Sequence, residues 1–493
     1  MKLKDLSVKE DIRKKMINSI LVILFALSTS LMGATIYVNS SSGDDTNGDG
    51  SSGSPYKTFH QGYTAASSGD IIDLTGTFTW TDADETGDNA TSGYTLSKNL
   101  TIQGQGVGST TIQAHATTNT ADRGVFYISA TVTIKDLTIQ NGVVTSTQYG
   151  GGITNNSTTT LEQVKLSANR ATFEGTTYWG AGGVYNRQNA NLNVTNSTFD
   201  SNIFSGKAYG SGGLYSTQSV DVVVVNSTFS NNQSVASAPE TYPFSYSQPS
   251  AALGAFRFCN YTITNSTFTQ NSTNGFAGAI QAYHDYTFII TNSTIVNNSA
   301  GTGAGGVMWE ATSGNYKMYV KNTIISDNEA NSVSNDVYAK DATSANQLID
   351  NGYNIVETST NKVWNAAGDI TGDQASLNLS ASLADNATLN GTQTLALSAG
   401  SVAIDAGNGT ANNGVSIPAT DQRGVSRSGA TDIGAYEYEA DVTAPTVSTL
   451  SPTDGATGVA TTANLVITFD EAVDVESGNI TIKLDSDDST VEA

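Results

Sequence analysis

"NSTFDSN" at residues 196–202, "NSTFSNN" at 226–232, "NSTFTQN" at 265–271, "NSTIVNN" at 292–298 and "NTIISDN" at 322–328 are copies of one step. With "DLTIQN" and "QVKLSAN" ahead of them, they put Ile139, Leu166, Phe199, Phe229, Phe268, Ile295 and Ile325 at one equivalent position, at spacings of 27, 33, 30, 39, 27 and 30. A period of this size marks a solenoid, in which one unit cannot bury its apolar row alone and must stack on its neighbours. Between the copies lies a glycine element, "GGGI" ending at Ile153, "GAGGV" at Val184, "GSGGL" at Leu214, "FAGAI" at Ile280 and "GAGGV" at Val307. Seven coils are legible, each of two or three short strands.

Alternation with a period of two assigns the inward side chains. Leu192, Val222, Tyr261, Phe288 and Met318 fall in one register, and Val194, Val224, Ile263, Ile290 and Val320 in the next inward one. Thr195, Thr264, Thr291 and Lys321 between them are expected to face water. Asn196, Asn226, Asn265, Asn292 and Asn322 stack at one corner, because Asn tolerates left-handed backbone and bonds to its copies above and below. Asn169, Asn202, Asn232, Asn271, Asn298 and Asn328 form a second ladder. The paired glycines suit a third corner, of positive φ or close backbone approach. Four NST steps match the N-glycosylation sequon, which the corner motif explains without sugar. The fold class predicted is all-β, a right-handed parallel β-helix followed by a partial Ig-like β-sandwich.

Composition agrees: 48 Gly and 7 Pro, with no long segment of helical apolar period. Basic Arg13, Lys14 and Lys15 precede an apolar run from Ile17 to Leu31, and Gly33 and Ala34 offer a cleavage point, so residues 1–34 read as a signal peptide and the protein as exported, extracellular or on the outer cell surface. The single Cys259 excludes an internal disulfide. A net charge of −23 argues against nucleic acid and anionic membrane surfaces as partners. No second apolar stretch is long enough to span a bilayer, and a monomer is expected.

Residues 35–125 form an N-terminal cap and first coils, 126–345 the β-helix repeats, 346–440 further coils with a closing module, and 441–493 a β domain. In "SSGDDTNGDGSSGSPYKTF", Asp45, Asn47, Asp49 and Gly50 fall where a calcium loop places ligands one, three and five and its turn glycine. The twelfth position is Tyr56 rather than a bidentate Glu, which favours a capping turn; calcium is the one cofactor the sequence suggests.

The glycine and "FxxN" elements, such as Gly183-Val184 with Phe199 to Asn202 and Gly213-Leu214 with Phe229 to Asn232, resemble the repeats of polymorphic outer membrane proteins and related bacterial surface β-helices. The opening "IYVNSSSGDDTNGDG" through "GDIIDL" resembles the start of secreted β-helix proteins: a strand, a polar loop, a short helix and a Gly-Asp turn. "NGYNIV", "SVAIDAGN" and "TDQRGVSRSGATDIGAYEY" resemble a choice-of-anchor closing module. There Arg423, paired with one of Asp405, Asp421, Asp432 or Glu437, is expected to close the end of the solenoid. "NLVITF" and "NITIKL" beyond Pro445 resemble bacterial Ig-like strands, and the segment is half the size of a whole sandwich, as if cut inside the domain.

β-Helices host polysaccharide lyases, so catalysis is weighed against the residues. Tyr283 and Glu310 fall on neighbouring coils, with His284 and Asp285 adjacent and Arg257 one coil earlier, without a lyase signature; no catalytic residue is assigned. The candidate ligand-binding residues are aromatics that precede the glycine corner, Tyr149, Trp179 and Tyr209, with Phe276, and Tyr242, Phe244 and Tyr246 in the longest insertion. They form a platform for sugar or a protein surface, or else cover the corner; both readings stand. Tyr185 and Tyr215 are read as a cross-coil pair. The expectation is an adhesin or binding scaffold for polysaccharide or for a host or neighbouring cell-surface protein. The alternatives are a lyase acting on acidic polysaccharide and a passive stalk.

Overall fold

The structure is a computed structural model that describes residues 33–145, 149–173, 179–206, 209–236, 249–312, 314–386, 391–427, 429–440, 445–460, 462–470, 473, 482–483 and 490–492. The chain divides into two compact units at Tyr438/Glu439. The first is a parallel β-helix. One coil runs through the strands Asn191–Thr195, Thr198–Asp200, Ile203–Gly206 and Leu214–Thr217 before Asp221–Val225 begins the next. Stacking the coils gives three main sheets: sheet A of 19 strands, bent along the first Asn ladder, sheet B of 8 and sheet C of 11.

The predicted inward register is the observed one. Leu192, Val222, Tyr261, Phe288 and Met318 are paired coil to coil, and so are Phe199, Phe229, Phe268, Ile295 and Ile325. All are buried. Phe199, Phe229 and Phe268 stack face to face with centroids 4.4 and 4.7 Å apart, the geometry that a parallel in-register sheet forces on identical residues.

The two Asn ladders differ. At the first corner Asn196, Asn226, Asn265, Asn292 and Asn322 are themselves left-handed, with φ between 47 and 51°. At the second, the left-handed residue is the one before the Asn, namely Ser201, Asn231, Gln270, Asn297 and Asp327. The Asn side chain there turns inward and is buried. Asn232 Nδ2 donates to Phe199 O at 2.8 Å and to Asn271 Oδ1 at 2.9 Å, and its neighbours repeat the pattern. The file ends on a carboxylate, Asp336, whose Oδ1 accepts from Asn328 and whose Oδ2 accepts from Thr358. At the glycine corner the requirement is close approach: a Cβ on Gly183 would lie 2.5 Å from Gly213 O.

Both ends of the core are sealed. Thr58 caps the helix Phe59–Ala65, whose Phe59 meets Tyr63, Trp80, Tyr94 and Phe126. Trp364 packs into the far end.

The closing segment departs from expectation. It does not plug the end of the solenoid but runs back along the outside of sheet A. Gln393 O and Gln422 bond to Thr228, Thr420 O and Gln422 to Asn265 and Thr267 on the next coil, Ala435 N to Thr294 on the one after, and Asn408 O to Asn322 on the one after that. Its Leu377, Leu395, Leu397, Ala403 and Ile433 pack on Val296, Ile324 and Ile355. Val296 and Ile324 occupy outward positions that carry Ser, Thr or Asp in earlier coils, so an apolar strip is offered on the flank. Thr291 and Lys321, expected to face water, are buried; the Lys321 ammonium lies 5.3 Å from the centre of the Tyr353 ring.

In the second unit, Val447–Ser451 pairs antiparallel with Val466–Phe469, and Ile482–Lys483 with Thr490–Glu492. Among the described residues no helix is long and apolar enough to cross a membrane.

Candidate functional site

The outward face of sheet C is aromatic because alternation places Tyr185, Tyr215, Phe256 and Tyr283 outside while Val184, Leu214, Leu253 and Ile280 fill the core. Tyr185 and Tyr215 stack at 6.5 Å, and Phe256 and Tyr283 at 5.2 Å. Gly254 makes room for this row, since a Cβ there would meet the Tyr215 ring at 2.7 Å.

Trp179 and Tyr209 close over the row. Their rings are 6.3 Å apart, and they lie 6.0 and 5.1 Å from Phe256. Tyr149 stands apart from them, against Tyr127 at 5.9 Å. Tyr242, Phe244 and Tyr246 lie outside the described residues.

Beyond sheet C the chain turns toward sheet A through a corner that breaks the repeat. Arg257, Phe258 and His284 hold positive φ of 63, 63 and 57°. Left-handed backbone at bulky residues costs free energy and is found preferentially at functional positions. Here Phe258, Tyr286 and Tyr316, on successive coils, touch one another with centroids 5.3 to 6.4 Å apart, and Tyr286 is 47% exposed. The Arg257 guanidinium lies 4.8 Å above the Phe256 ring and 5.8 Å from that of Tyr283. His284 stacks between Tyr283 at 3.8 Å and Tyr316 at 5.6 Å.

The predicted pairing of Tyr283 with Glu310 is present. Glu310 bonds to Lys340, and His284 Nε2 is 3.9 Å from its Oε1. Burial raises the Glu310 carboxyl, and Lys340 opposes that rise. Burial, and then the positive fields of Arg257 and Lys340, push His284 down to about 4, so the imidazole is neutral at pH 7. Asp285 points into the core, accepts from Cys259 N and Tyr283 N, and is raised by burial to about 8.

The sequence singled out Arg257, Tyr283, His284 and Glu310 but not Phe258, Tyr286, Tyr316 or Lys340. Tyr286 and Tyr316 stand 30 residues apart, the coil spacing there, and that signal was available; Phe258, 28 residues before Tyr286 where the coil spacing is 27, lies one residue out of register.

Two other candidate groups are occupied. Asp45 Oδ1 accepts from Lys57 N and Thr58 N, and its Oδ2 from Thr58 Oγ1; Asn47 bonds to Asp44, and Asp49 accepts from Ser51 N. Among the described residues no three His, Cys, Asp or Glu gather as a metal site. In the closing segment, buried Arg423 pairs with Asp421 at 2.8 Å and lies over Tyr436, and buried Arg427 pairs with Glu437 at 2.8 Å.

Residues 441–493 match the bacterial Ig-like domain family. No match was found among curated proteins. Among solved structures, the chain is similar to pectate lyase Pel9A, at 18% identity and a TM-score of 0.45, covering 83% of this chain and 98% of that one. It is also similar to a rhamnogalacturonan lyase, at 12% identity and a TM-score of 0.31, covering 72% and 91% of the two chains. A PL6 family alginate lyase, AlyGC, matches at 12% identity and a TM-score of 0.19, over 83% and 60%.

Proposed function

We propose that the protein is an exported, surface-associated β-helix that binds polysaccharide and performs no chemistry of its own. One observation carries this reading: the ring cluster of exposed Tyr286 with half-buried Phe258 and Tyr316, held on three coils at a strained corner. Aromatic faces stack on sugar rings while tyrosine hydroxyls and neighbouring polar groups take the hydroxyls. The neighbours here are Arg257, His284 and Lys317 rather than aliphatic side chains, which favours a sugar over an apolar protein surface.

Trp179 and Tyr209 then serve as cover for Phe256, and the Asp45 loop as a turn that fastens the first helix rather than a calcium site. A place at the cell surface accords with the resemblance of the repeats to polymorphic outer membrane proteins and of the closing segment to choice-of-anchor modules, and with the match of residues 441–493 to bacterial Ig-like domains.

A second reading, β-elimination on an acidic polysaccharide, draws on the same corner. The neutral imidazole of His284 is in the protonation state needed to remove the proton beside a uronate carboxylate, as the glycosidic C–O bond breaks, a carbon–carbon double bond forms and the departing sugar oxygen takes a proton from water. Incubating the full chain with a panel of neutral and acidic polysaccharides separates the readings. Retention without ultraviolet-absorbing product supports binding. Retention lost in Tyr286→Ala but kept in Trp179→Ala places it at the corner, and release of unsaturated product replaces the binding reading with elimination.

A further inference from the structure

We infer that the corner selects sugars bearing a carboxylate, with the ring stacked on Phe258, Tyr286 and Tyr316 and the carboxylate held by Arg257 and His284. The inference rests on the polysaccharide reading and specifies its ligand.

The chain is strongly acidic, with 45 Asp and Glu against 22 Lys and Arg. Yet Arg257 is exposed and pairs with no carboxylate among the described residues. An arginine left unpaired amid such excess of negative charge, and kept flat by the faces of Phe256 and Tyr283, presents its donor edge to solvent at no further ordering cost. Beside it the buried His284 Nε2 has no hydrogen-bond partner among the described residues, a cost that a carboxylate accepting from it removes.

The groups facing His284 are the cations Arg257 and Lys340, the Glu310 carboxyl at 3.9 Å, and the rings of Tyr283 and Tyr316; Asp285 follows it in sequence but points into the core. Asp341 lies behind, near Glu310, and is engaged with Ser344. An anion arriving between Arg257 and His284 offsets the field of the two cations, and the imidazole then binds a proton at higher pH.

The test is calorimetry on the full chain with oligomers of galacturonate, mannuronate and glucuronate, each against the same oligomer with its carboxylates reduced to alcohols. At least tenfold tighter binding of one acidic oligomer is expected, weakened by salt. Arg257→Gln should reduce that affinity to the level of the neutral oligomer, and Arg257→Lys should restore only part of it. In parallel, NMR titration of His284 should show its pKa rising when the acidic oligomer binds and not when the neutral one does. Equal affinity for acidic and reduced oligomers, lost in Tyr286→Ala, overturns the charge selection and leaves polysaccharide binding standing. Failure of every oligomer to bind overturns both.

Discussion

The corner at Asn202 and the corner at Arg257 belong to the same solenoid and solve the same problem, turning the chain from one sheet to the next, by opposite means. At the first, coil after coil repeats one inward Asn, and each amide donates both to a carbonyl and to the next Asn. At the second, neighbouring coils carry Arg257-Phe258, His284-Asp285 and a longer loop to Tyr316, with backbone at positive φ, the Tyr286 ring exposed and polar atoms unpaired among the described residues. Identical residues stacked in register maximise satisfied bonds, whereas a local departure spends stability on surface chemistry.

Breaking the regular side should give the largest effects. Phe229→Ala opens a cavity between Phe199 and Phe268 and should cost ~3 to 5 kcal/mol in denaturant unfolding. A loss too small to resolve would mean that the stack does not hold the core. Asn232→Ala removes the two bonds its amide donates and the two its oxygen accepts from Asn202, and interrupts the file, for ~1 to 3 kcal/mol.

The buried carboxyls give a pH signature. Asp285 is raised to about 8 and Asp336 to about 6, both by burial, from the usual 3.8, and Asp369 is raised by burial and by Asp350. A carboxyl whose folded pKa is raised favours the folded state while protonated. The stabilisation is complete below about 3.8 and is lost as pH rises through the folded values. His284, lowered to about 4, acts in the opposite sense as pH falls below 6.5. With several carboxyls against one imidazole, Tm should fall by a few degrees between pH 5 and about 8.5, and Asp285→Asn should remove the upper part of that fall. A flat profile in the unsubstituted chain would contradict the burial of these groups.

The smallest stability effect belongs to the irregular side. Tyr286→Ala should change stability by no more than ~0.5 kcal/mol while abolishing polysaccharide retention. A large loss of stability would make the ring cluster a structural element and erase the contrast between the corners.

The regular side was readable in advance because its determinants are local. Alternation, the NST step and coil spacing sufficed to place Leu192, Phe199 and Asn202 in their files. The candidate site was readable only in part. Register aligned Tyr283 with Glu310, but the contact of Phe258 with Tyr286 and Tyr316 depends on how loops of unequal length turn, which no period encodes. Spacing placed Trp179 and Tyr209 on neighbouring coils but not the Phe256 ring that lies beneath them.

The closing segment shows the same boundary. Its buried charges could be suspected of pairing from sequence alone, and Arg423 does meet Asp421 two residues away. Its course along the flank could not be, because it is set by contacts between residues far apart, such as Gln422 with Thr228 and Ile433 with Ile324. The sequence by itself determined the repeat, the inward rows and the two Asn ladders, since each follows from period and residue type within one coil. Only the tertiary structure decided which aromatic rings meet across the coils and where the last segment lies, since both depend on what packs on top and a one-dimensional period carries no information about that.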